Sequence, residues 1–64
     1  MGPYTRQIRR LLRAAGYEFE REGKGDHEIW RNAETGKRVT IDVNCRKRHT
    51  ANKILRDAGL PKAF

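Results

Sequence analysis

The chain has 64 residues, enough for one domain (1–64) but too short to build a deep substrate pocket with its own walls, because a domain of this size hides only about 60% of its unfolded surface. Fifteen Lys and Arg oppose eight Asp and Glu, a net charge of +7 with a pI near 10.3, and that balance favours polyanionic partners. A single cysteine, Cys45, excludes an internal disulfide and a cysteine-rich metal site, and no apolar run approaches the roughly 18–20 residues of a membrane span.

Residues 4–15 place Ile8, Leu11, Leu12 and Ala15 at three- and four-residue spacing, which predicts a helix with one buried stripe. Thr5 is its expected N-cap and Gly16 its stop. The opposite face carries Arg6, Arg9, Arg10 and Arg13 without an acid among them. Such a run reads as a solvated face or as a polyanion contact.

From Tyr17 to Glu22 the chain alternates, with Tyr17 and Phe19 on one side and Glu18, Glu20 and Glu22 on the other, the pattern of a half-buried strand. Gly23-Lys24-Gly25-Asp26 turns the chain, and residues 27–31 read as a second strand. Its parity is set by Ile29 as the inward residue, which puts His27 on the core side and Trp30 on the far side. Residues 32–37 form a second turn, and 38–43 a third strand with Val39, Ile41 and Val43 inward. A basic crossover, 44–49, leads to a helix capped by Thr50, carrying Ala51, Ile54, Leu55 and Ala58 inward and stopped by Gly59 and Pro61. The fold class is α+β with the order α-β-β-β-α: a three-stranded antiparallel meander covered on one face by two helices. The expected core is Ile8, Leu11, Leu12, Ala15, Tyr17, Phe19, Ile29, Val39, Ile41, Val43, Ile54, Leu55 and Ala58. No apolar signal block stands at the N-terminus, so a cytoplasmic location with a reduced Cys45 is expected.

Two histidines, His27 and His49, are the chain's imidazoles. Neither has a second histidine three or four residues away, so metal-ligand spacing is missing and no cofactor is expected. What remains is acid–base work by one imidazole in a cationic surround. RNA brings its own nucleophile, the 2′-hydroxyl. Its cleavage needs a base for that proton, an acid for the departing 5′-oxygen, and cations for the charge on phosphorus. Histidine can serve at either end.

The segments Leu11-Leu12-Arg13-Ala14-Ala15-Gly16-Tyr17, Lys24-Gly25-Asp26-His27-Glu28-Ile29-Trp30, Gly36-Lys37-Arg38-Val39-Thr40-Ile41 and Thr50-Ala51-Asn52-Lys53-Ile54-Leu55-Arg56-Asp57-Ala58-Gly59-Leu60 together resemble the HicA toxin family. The resemblance spans roughly residues 5–60. It implies a fold like that of double-stranded RNA-binding domains, messenger RNA cleavage, and neutralisation by a HicB-type antitoxin. It also implies that His27 is the essential histidine, following the turn pair Gly25-Asp26. Where many members have Gly-Ser-His-His, this chain has Asp26 in the serine place and Glu28 after the histidine. An acid on each side of His27 favours its use as the proton donor.

Lys24 is the expected first phosphate contact, with Gly25 allowing the backbone close approach. Arg46, Lys47, Arg48 and Lys53 are the expected RNA-binding cations at the start of the second helix. Trp30 is expected to shield the open face of the sheet or to stack on a base, the former favoured. The rival readings are a non-catalytic RNA-binding module using the same basic surface, and a DNA-binding domain inserting its second helix into the major groove.

Overall fold

A computed structural model describes residues 1–64. It has five elements in the expected order: α1 (Thr5–Ala14), β1 (Tyr17–Glu22), β2 (His27–Asn32), β3 (Arg38–Asp42) and α2 (Arg48–Asp57). The sheet is an antiparallel meander in the order β1-β2-β3, with both helices on one face. Its overall extents are 29 × 26 × 15 Å, a thin slab with one helical and one open sheet face. No helix is long and apolar enough to cross a membrane.

The core is Ile8 and Leu12 of α1, Tyr17 of β1, Trp30 of β2, Val39 and Ile41 of β3, Ala51, Ile54 and Leu55 of α2, and Cys45 and Ala58 outside the regular elements. The helix stripes are as expected, and so are the inward Val39 and Ile41 of β3, which ends at Asp42, one residue before the expected Val43. β2 is reversed. Trp30 pairs with Val39 and Glu28 with Ile41, so these residues share the helix-covered face. Trp30 is buried in the core rather than shielding the open face, whereas Ile29 is only half-buried and lies with His27 on that open face. A large indole covers more apolar area than an isoleucine, and the facing residues Val39 and Ile41 choose the side.

β1 departs from strict alternation. Its register slips between Phe19 and Arg21, placing a bulge at Glu20. Beyond the bulge Glu22 pairs with Glu28 and so moves to the helix side. Phe19 pairs with Trp30 but, on the border strand, is 48% exposed. Val43, Leu11 and Ala15 are likewise only partly buried, at the margins of the core.

Neither expected N-cap caps. α2 begins two residues before Thr50, and its N-cap position, Lys47, makes no side-chain cap bond. Thr5 is buried and donates its Oγ1 hydrogen to the Val43 carbonyl at 2.7 Å, tying α1 to the end of β3. Tyr17 reaches the other helix, its hydroxyl donating to the Ala58 carbonyl at 2.9 Å. These two bonds link each helix to the sheet at opposite ends of the sequence.

Candidate active site

His27 opens β2, and the turn before it sets its position. Gly23 donates its N–H to the His27 carbonyl at 2.8 Å. Gly25 holds φ at +65°, and nothing lies within 4 Å of where a Cβ would stand, so glycine is needed there for its conformation alone. Asp26 accepts twice from the segment after β3: Oδ2 from Asn44 Nδ2 at 2.6 Å, and its carbonyl from the Val43 N–H at 2.8 Å. The turn is thereby pinned to the connection that leads into α2.

The start of the chain meets the same rim. Gly2 is buried and donates its N–H to the Val43 carbonyl at 2.8 Å, and a Cβ on it would collide with the Cys45 carbonyl. One end of the slab therefore gathers the β1–β2 turn, His27, the end of β3, residues 43–45 of the connection and the N-terminus of α1.

His27 is exposed on the open sheet face, away from the core side assigned to it by strand parity. Its cross-strand partner is Asp42. The Val43-to-Asp26 bond brackets them as a non-hydrogen-bonded pair, the closer kind, with Cβ atoms about 4.5–5.5 Å apart in such pairs. Asp42 Oδ1 accepts the Asn44 N–H at 2.9 Å.

The flanking acids do not serve His27. Asp26 is committed to Asn44. Glu28 points to the helix side, where its oxygens accept from Arg9 Nε at 3.1 Å, Arg9 Nη2 at 2.6 Å and Trp30 Nε1 at 3.1 Å. Burial tends to raise the Glu28 carboxyl, but the hydrogen bonds from Arg9 and Trp30 and the Arg9 and Arg13 charges outweigh it and hold the pKa below the ordinary value. The donor bias expected from sequence adjacency thus has no contact behind it.

Lys24 and Gly25 are exposed in the turn, and Arg46 and Lys47 before α2 and Arg48 at its first position are exposed without an ion pair. Lys53 stands apart from them. It lines a shallow hollow of about 350 Å³ on the outer face of α2 with His49, Asn52, Arg56, Leu60 and Lys62, and it pairs with Asp57 at 3.2 Å. His49 is inside α2 rather than ahead of it. Cys45 is buried in the core and is not available as a nucleophile. Nowhere do three His, Cys, Asp or Glu side chains converge as a metal site requires.

Asp42, Asn44 and Gly2 are the rim residues that sequence reasoning missed. Asp42 was within reach: counting outward from the 33–36 turn pairs Arg31 with Arg38 and hence His27 with Asp42. Asn44 and Gly2 carry no such local signal.

The model of a protein family described as HicA toxin of bacterial toxin–antitoxin matches residues 5–60. No curated protein and no solved structure matches the chain.

Proposed function

The chain belongs to the HicA toxin family, and on that premise we propose that it is a metal-independent endoribonuclease that cleaves messenger RNA with His27 as its proton-transfer residue. The observation that carries this reading is the placement of His27: an exposed imidazole on the open sheet face, next to the turn of Lys24, in a chain whose exposed cations Lys24, Arg46, Lys47 and Arg48 have no acidic partner. A histidine sealed beneath the helices would have no route to a phosphodiester.

In this mechanism the RNA 2′-oxygen attacks the adjacent phosphorus. The P–O5′ bond breaks, leaving a 2′,3′-cyclic phosphate and a free 5′-hydroxyl. His27 either takes the proton of the 2′-hydroxyl or gives one to the departing 5′-oxygen. Lys24 and the Arg46–Arg48 run stabilise the charge that builds on the phosphoryl oxygens. The Gly25 turn lets the backbone approach a phosphate without a side chain in the way. Asp42 shares the sheet face with His27 and is the acid placed to orient the ring. Base selectivity is expected to be low, because few groups at the rim can read base edges.

The partner is a HicB-type antitoxin that covers His27 and the basic rim, with complementary charge speeding capture. The test is RNA incubated with purified protein in EDTA, beside His27→Ala. Cleavage by the first and none by the second, with RNA affinity kept, supports the enzyme. Binding without cleavage by either supports a non-catalytic RNA-binding module instead. Replacing the 2′-hydroxyl at the cut site by hydrogen should abolish cleavage there.

A further inference from the structure

Helix α1 carries a stripe of charge that the fold does not use. Arg6, Arg10 and Arg13 are all exposed, and none makes an ion pair, whereas Arg9 between them is committed to Glu28. The three are spaced four and three residues apart, so they line one side of the helix. With Pro3 and Gln7 they border a hollow of about 540 Å³ that has no acidic residue in its wall. Like charges at this spacing work against the helix, as does Arg6 in a first turn that holds no acid. A stripe that weakens its own helix calls for a ligand that neutralises it.

At its far end the stripe meets an aromatic ledge. Arg13 also borders a second hollow of about 380 Å³, shared with Arg9, Phe19, Glu28 and Trp30. Its guanidinium lies over the Trp30 ring, 4.9 Å from the centroid. Phe19 stands edge-to-face against Trp30 at 6.1 Å and is nearly half exposed, the one large aromatic left open on the sheet edge. An apolar ring in water beside a planar cation is a stacking platform, since every nucleobase has a π-face.

We propose that α1 and Phe19 form a single-stranded RNA-binding track, in which Arg6, Arg10 and Arg13 hold successive phosphates and Phe19 stacks one base. From Arg6 to Arg13 the track runs about 10 Å at 1.5 Å per residue. That is about three nucleotides at the 3.4 Å rise of a stacked strand. Its Arg6 end lies one residue from Thr5, whose hydroxyl is bonded to Val43 at the rim that holds His27. A strand on the track can therefore continue toward the histidine. The track serves the ribonuclease reading above and takes RNA as its ligand from it.

The probe is a short single strand of mixed sequence with every 2′-hydroxyl methylated, so that binding is read without cleavage and without reference to His27. Trp30, the sole tryptophan, reports occupancy by its fluorescence. Replacing Arg6, Arg10 and Arg13 together by Gln, a good helix former, should flatten the plot of log affinity against log salt by about 2, at about 0.7 for each phosphate no longer neutralised. Phe19→Leu should weaken binding about tenfold with the salt slope unchanged, while Phe19→Tyr keeps affinity within about twofold. Leu preserves apolar cover for Trp30, so a packing role alone would leave its affinity intact. Unchanged affinity and slope in all these variants would overturn the track and leave the face to a protein partner. Normal track behaviour in a protein that does not cleave RNA would sink the enzyme reading and spare this one.

Discussion

His27 and Glu28 are neighbours in the chain with opposite surroundings. His27 faces open water on a bare sheet, with Asp42 across the ladder as its facing neighbour. Glu28 faces the helices, where Arg9 grips it with two nitrogens and Trp30 donates to it. One step along β2 separates a group available for chemistry from a group spent on packing. In so thin a slab the pleat of one strand alone decides which side chains meet solvent and which meet the helices.

The contrast can be broken first at His27. His27→Ala should lower RNA cleavage about 10²–10⁴-fold. The melting temperature should barely move, because the ring packs against no core residue. Single-turnover cleavage and a thermal melt on the same sample check both halves; a large loss of stability would place the ring in the scaffold after all. The reverse is expected at Trp30. Trp30→Ala should cost about 3–5 kcal/mol, much of what a domain this small has, as measured by urea unfolding.

Glu28→Gln tests the scaffold side more gently. It keeps the volume but loses charge-assisted bonds, and about 1–2 kcal/mol should go with them. Its pH dependence has a definite sign. A carboxyl whose folded pKa is depressed adds stability above its ordinary pKa, near 4.5, and that stability is lost as pH falls through the folded value. The gap between wild type and Glu28→Gln should therefore be full at neutral pH and close as pH falls through the depressed folded value. A gap that persists in acid would mean the pair is held by shape rather than charge. The smallest effect is expected at the turn. Gly25→Ala should cost about 1 kcal/mol, because φ at +65° strains any side chain while nothing crowds the site. Gly25→Asn should recover part of it.

The element order, both helix stripes and the inward residues Val39 and Ile41 were legible because each rests on a local period. The inward face of β2 was not. Its two faces offer one large apolar residue each, Ile29 and Trp30, so alternation alone leaves the parity open. What decides it is remote in sequence: Val39 and Ile41 across the ladder, and Arg9 from α1, which lets a carboxylate sit beside the indole. The burial of Gly2 and Cys45 was hidden for a similar reason, since neither lies in a periodic segment and Gly2 packs on Val43 and Cys45, remote from it in sequence. At the candidate site, His27 was singled out from its turn and the family resemblance. Its partner Asp42 needed the hairpin register, and the latch between Asp26 and Asn44 needed the fold.

The irregular step at Glu20 also governs how these molecules behave in a crowd. β1 is a border strand with its outer backbone unpaired, a natural template for a second molecule to extend the sheet. The extra residue twists that border, and Glu18, Glu20, Arg21 and Glu22 stud it with charge. Copies meeting edge to edge find neither a straight ladder nor a dry seam, so the protein is protected from fibril growth on that side.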